Sequence, residues 1–145
     1  MLSALFTPRT LRTFRSSFFH PRPFSTSRCR LEQFHGADEA TFNRLTSATR
    51  TNGRVVLVDF YADWCPPCKA LSPILEKLAE DAGVKTGSGR PIDLVTVNTD
   101  EQSSLAQQYA IRALPTVAAF RDGKMVNQFV GALPESGVRK FLEDV

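Results

Sequence analysis

The periodicity of the chain changes abruptly between residues 55 and 78, and two cysteines mark the change. Val55-Val56-Leu57-Val58 is an unbroken, largely β-branched apolar run of the kind a buried strand needs. Leu71, Ile74, Leu75 and Leu78 then recur at i, i+3, i+4 and i+7, which is one face of a helix. Between them lies Asp59-Phe60-Tyr61-Ala62-Asp63-Trp64-Cys65-Pro66-Pro67-Cys68-Lys69. A strand-to-helix junction sets Cys65 at or just before the first helical turn, where unpaired backbone N–H groups favour an anion. A thiol becomes a thiolate most easily there. Two intervening residues let Cys68 face Cys65 across the turn, within reach of a disulfide. The segment reads as a dithiol redox site, set against two packed cysteines or half of a zinc site. A zinc site needs about four ligands. The remaining candidates, Cys29, His20 and His35, lie in or beside the N-terminal arm.

The length of 145 residues and the 42% hydrophobic content suit one domain with a packed core and some chain to spare. Three cysteines, one of them far from the pair, fit an intracellular redox protein better than a secreted scaffold held by disulfides. No apolar run approaches the ~20 residues that span a bilayer. The net charge of +3 is unevenly spread. Residues 1–31 hold Arg9, Arg12, Arg15, Arg22, Arg28 and Arg30 and no acid. Taking those six from 18 basic residues leaves 12 against 15 acids, so residues 32–145 carry about −3 and offer nothing for a nucleic acid.

That Arg-rich, Ser-rich, acid-free start, with Leu11, Phe14 and Phe18 on one side of a possible helix, is the composition of a mitochondrial transit peptide. The continuous apolar core of a secretory signal is missing. Arg22-Pro23-Phe24-Ser25-Thr26-Ser27 resembles a matrix-processing site, and cleavage between about Pro23 and Glu32 removes Cys29. A retained basic arm that binds an anionic surface, and chloroplast targeting, are the rival readings. The division expected is a presequence at 1–31 and one folded domain at 32–145.

Along that domain, Phe34 to Asn52 reads as a short edge strand and one helix, with Asp38 as N-cap and Phe42 and Leu45 facing inward. Val55 to Tyr61 is the central strand, and Cys65 to about Ala82 the long helix, with Pro73 inside it. Gly83 to Pro91, with three glycines, reads as a flexible loop. A strand at Ile92–Val97, a short helix at Glu101–Tyr109 and a strand at Val117–Arg121 follow. Asp122-Gly123 marks a hairpin turn into a strand at Lys124–Val130. Gly131 ends that strand, and a helix from about Pro134 presents Val138, Phe141, Leu142 and Val145. This order specifies an α/β fold, a mixed sheet covered by helices on both faces.

Val56 to Ala62 followed by Trp64-Cys65-Pro66-Pro67-Cys68-Lys69 resembles the active-site segment of thioredoxins, and the resemblance runs from about Phe34 to Val145. It implies a thioredoxin fold and protein disulfide reduction through a mixed disulfide, with Cys65 as nucleophile and Cys68 as resolving thiol. Asp59 interrupts an apolar strand, where burial raises a carboxylate's pKa. The resemblance makes it the proton acceptor for Cys68, the alternative being an aspartate that reaches solvent. The lysine that family members carry on the next strand is Thr96 here, and their Gly-Pro between the cysteines is Pro66-Pro67. The lack of a histidine there argues, by the same resemblance, against a strong oxidant. Pro115 corresponds to the family's cis-proline and leaves the backbone of Leu114 open to a substrate strand. Trp64, Gly131 and Ala132 complete the implied docking surface, with core packing as the alternative for Trp64. Cys65 is expected at the exposed start of the helix and Cys68 in a more shielded place.

The reading that follows is a monomeric mitochondrial matrix thioredoxin, with a redox-active Cys65–Cys68 disulfide and neither a bound cofactor nor a metal. Electrons come from NADPH through a thioredoxin reductase, because this chain lacks a G-x-G-x-x-G nucleotide motif, and pass to oxidised client proteins such as peroxiredoxins. The competing class is a thioredoxin-fold binding or assembly factor without redox turnover. A membrane-tethered thiol reductase would need an apolar anchor that the sequence lacks.

Overall fold

The computed structural model describes residues 32–51 and 53–145. The expected presequence, with Cys29 and His20, lies outside the described residues, as does Asn52. In chain order the elements are β1 (Gln33–Phe34), α1 (Glu39–Thr46), α2 (Ala48–Thr51), β2 (Val55–Tyr61) and α3 (Pro66–Glu80). There follow β3 (Ile92–Asn98), α4 (Ser103–Gln108), β4 (Thr116–Arg121), β5 (Lys124–Val130) and α5 (Glu135–Glu143).

The strands make one five-stranded sheet in the order β1-β3-β2-β4-β5. β1 and β2 run parallel to β3, while β4 is antiparallel to both β2 and β5. The mixed sheet follows from the connections. The helical crossover α3 returns the chain for a parallel pairing, and the tight turn at Asp122-Gly123 forces an antiparallel one. Asp122 and Gly123 both have positive φ, 52° and 82°, as that turn requires.

Central strand β2 is buried along its length except at Tyr61, so its residues feed two cores in alternation. Val55 and Leu57 pack with Leu71, Leu75 and Leu78 of α3 and with Val138 and Leu142 of α5. Val56, Val58 and Phe60 pack on the other face with Phe42 of α1 and Leu105 of α4. There Phe42 meets Phe120 edge-on, with ring centroids 5.5 Å apart. A fully buried leucine or phenylalanine contributes roughly 1.5–3 kcal/mol, so these two layers dominate the stability.

Three stretches depart from the sequence expectation. The first helix is interrupted at Ser47, whose hydroxyl donates to the Arg44 carbonyl at 2.7 Å and whose backbone is extended. A serine that takes a carbonyl in this way competes with the helix. Asp38 does cap α1 as expected, accepting from the Thr41 N–H at 2.9 Å. Helix α3 stops at Glu80 because Asp81 turns back and accepts from the Gly83 N–H at 2.8 Å. Pro73 sits within α3 on its exposed side, so the Lys69 carbonyl that loses its partner faces solvent. The third departure is the glycine-rich segment, which is docked. Gly87 N–H donates to the Leu142 carbonyl at 2.8 Å, Thr86 is buried, and Lys85 pairs with Pro91. A Cβ on Gly87 would lie 1.9 Å from the backbone oxygen of Glu143, so only glycine allows this approach.

Candidate active site

Strands β2 and β3 end on the same side of the sheet, and the site forms where they do. Cys65 is the N-cap of α3, with φ −93° and ψ 102°. Its Sγ is joined to that of Cys68 at 2.04 Å, with the Cα atoms 5.4 Å apart. Pro66 and Pro67 occupy the first two positions of α3 and bring no N–H. The first amide facing the cap is therefore that of Cys68, which donates to Cys65 Sγ at 3.3 Å. Two prolines thus leave one backbone donor for a Cys65 thiolate in this turn.

The expected exposure of Cys65 is corrected by the structure. Cys65 is 2% and Cys68 1% exposed, because the disulfide packs with Ala62 and is covered by Tyr61 and Leu114. What distinguishes the two is access. Cys65 lines a groove of about 350 Å³ that it shares with Trp64, Pro66, Pro67 and the segment Ile111–Leu114, and Cys68 does not. Trp64 is 69% exposed, which excludes core packing, and its indole N–H donates to Asp100 Oδ2 at 2.8 Å.

Pro115 follows a cis Leu114–Pro115 bond and is buried. Among the described residues neither backbone polar group of Leu114 has a partner, so this edge is open for pairing. Gly131, at φ +92°, donates its N–H to the Pro115 carbonyl at 2.8 Å, and Ala132 beside it is exposed. Neither residue lines the groove. Gly131 meets the proline instead, through that hydrogen bond.

Asp59 lies on the α3 side of β2, in register with Thr96 of β3 and Val117 of β4. It is 1% exposed, and neither carboxylate oxygen has a hydrogen-bond partner. Burial pushes its pKa from 3.8 up to about 7, and the negative charge of Glu76 on α3 adds to the effect. The alternative of a solvent-facing aspartate is thereby excluded. Thr96 brings no cation, and its hydroxyl accepts from the Gly36 N–H at 3.0 Å.

Asp100, Thr99, Ala106 and Arg112 were not singled out by sequence reasoning, yet they hold or line the groove. A general signal could have found the first two, since ligands of α/β sheets gather beyond the carboxyl ends of the strands. Among the described residues, no helix is long and apolar enough to cross a membrane.

A redox disulfide capping a helix, on a mixed sheet, with the leucine of a cis Leu–Pro pair packed on it, defines the class of thiol–disulfide oxidoreductases. The comparisons with known proteins narrow this. The thioredoxin family model matches residues 34–144. The chain is 39% identical over 106 residues to the thioredoxin of Chlorobaculum thiosulfatiphilum, covering 73% of this chain and 93% of that one. It is 37% identical over 107 residues to the chloroplastic thioredoxin Y of Oryza sativa subsp. japonica, covering 74% and 60%. Among solved structures, the thioredoxin of Fasciola hepatica superposes with a TM-score of 0.65 at 30% identity, over 77% of this chain and 97% of that one. The chain belongs to the thioredoxin family.

Proposed function

We propose that the protein is a protein-disulfide reductase of the mitochondrial matrix. The observation that carries the redox reading is the Cys65–Cys68 disulfide at the N-terminus of α3, with only Cys65 on the groove wall. In the reduced protein the Cys65 thiolate, facing the Cys68 N–H, attacks one sulfur of a client disulfide. The client S–S bond breaks, a mixed disulfide forms, and the displaced sulfur leaves as a thiolate that takes a proton. Cys68 then gives its proton to Asp59 through a water and attacks Cys65 Sγ. The Cys65–client bond breaks and the second client sulfur is released. Two electrons have moved from the protein dithiol to the client, and the disulfide seen here is the product. An acceptor with a pKa of about 7, buried and without competing partners, is matched to a thiol near neutral pH.

Trp64, Pro66, Pro67 and Leu114 form the apolar wall of the groove that receives the client; Pro115 follows Leu114 and is held by Gly131, and the exposed Ala132 comes next in the chain. The protein acts as a monomer without a bound cofactor or metal. A thioredoxin reductase returns the disulfide to dithiol at the expense of NADPH, and oxidised proteins such as peroxiredoxins are the clients. The matrix address rests on the acid-free, Arg-rich composition of residues 1–31.

Insulin reduction coupled to thioredoxin reductase and NADPH, run on protein beginning near Glu32, tests the activity. Turnover that vanishes in Cys65→Ser supports it. NADPH oxidation no faster than without the protein overturns it and leaves a binding or assembly role.

A further inference from the structure

Of the ten residues lining the groove, four carry a polar side chain, and three of these are committed. The Trp64 indole N–H donates to Asp100, and the Thr99 hydroxyl donates to the Tyr61 carbonyl at 3.1 Å. Cys65 is the redox atom itself. The fourth is Arg112, which is exposed and makes no hydrogen bond or ion pair to any described residue. Its guanidinium therefore brings a free fork of donors, always charged, to a wall that is otherwise apolar. Arg112 lies two residues before Leu114, whose backbone groups are unpartnered. Two residues span at most roughly 7 Å even when fully extended. A client strand that pairs with Leu114 thus brings the neighbours of its cysteine within reach of Arg112. Two acids adjoin Trp64, and both are hydrogen-bonded. Asp63 precedes it and is hydrogen-bonded by Asn98, while Asp100 holds the indole. Arg112 is the one charged residue among those that line the groove.

We propose that Arg112 is a specificity-determining residue that selects client disulfides carrying Asp or Glu within about two residues of the attacked cysteine, on the Leu114 side. This rests on the reductase reading above. A carboxylate there accepts from the guanidinium, bidentate where the geometry permits, and the pair is screened because it is open to solvent. An exposed pair of this kind accelerates the attack by about two- to fivefold.

The test uses the full chain, reduced, and three cyclic peptide disulfides identical but for Asp, Asn or Lys beside the attacked cysteine. Stopped-flow gives the rate of each, divided by its rate with dithiothreitol to remove the effect of the charge on the peptide's own disulfide. At about 0.05 M salt the Asp peptide should react roughly threefold faster than the Lys peptide, and the gap should close by about 0.5 M. Arg112→Gln should bring the Asp-to-Lys ratio near one and Arg112→Glu should invert it, while Arg112→Lys keeps its sign. Ratios within one variant cancel any loss of active protein. An Asp-to-Lys ratio that is the same in the unaltered protein and in Arg112→Glu overturns the proposal while leaving the reductase reading intact. A protein that reacts with none of the peptides, nor with hydroxyethyl disulfide, overturns both.

Discussion

Replacing Asp59 with asparagine should change how stability depends on pH more than it changes the fold. The carboxyl is 1% exposed, unpartnered, and raised from 3.8 to about 7 chiefly by burial. Below pH 3.8 it is protonated in both folded and unfolded chains and contributes no pH dependence. Between there and about 7 the unfolded chain gives up this proton while the folded one keeps it, so folding grows less favourable as pH rises. Above about 7 both states are ionised and the penalty is constant. The interval between 3.8 and about 7, at about 1.4 kcal/mol per pH unit, gives a penalty on the order of 4 kcal/mol. Asp59→Asn cannot ionise and escapes it, although its buried amide still needs partners and the variant begins with an offset of roughly 1–3 kcal/mol against it. Guanidinium unfolding of the oxidised proteins at several pH values between about 4 and 8 separates the two effects. The variant should gain on the native protein from about pH 4 up to about 7 and run parallel to it above that. Two stability curves that stay parallel would refute the account of Asp59 as a buried, ionisable carboxyl.

Division of labour between the cysteines is open to trapping. Cys68→Ser should accumulate thiol-reversible adducts with proteins of a mitochondrial extract and Cys65→Ser should not, since only Cys65 lines the groove; the opposite pattern would exchange their roles. Gly87→Ala should cost about 1–3 kcal/mol in chemical unfolding, because the new Cβ meets the Glu143 backbone oxygen. A neutral result would mean that the segment is not docked on α5. Incubation of the full chain with isolated mitochondria should shorten it by roughly 23–31 residues and protect it from protease; an unshortened, accessible product would remove the matrix assignment.

Much of this protein was legible in the chain because the signals are local. The apolar run at Val55–Val58, helical spacing from Leu71 to Leu78 and the Asp122-Gly123 turn each depend on residues within a few positions of one another, and each element formed where expected. Cys65 and Cys68 needed only a strand-to-helix junction to be placed. Asp59 was visible as a charge interrupting an apolar strand, and Pro115 through its resemblance to the cis-proline of thioredoxins; the burial of the first and the cis bond before the second agree with those readings. Other features belong to the tertiary structure alone. Trp64 and Asp100 are 36 residues apart, and nothing in either segment signals a hydrogen bond to the other. The burial of Cys65 depends on Leu114 folding over it from a distant loop, and the docking of Gly87 depends on where α5 ends. Arg112 reads as an ordinary surface charge until the sheet brings its loop to the Cys65 wall. Local pattern decides which backbone conformation each segment adopts, but which side chains meet across the sheet's end is set by strand order. That order is determined only when both faces of β2 have buried their partners.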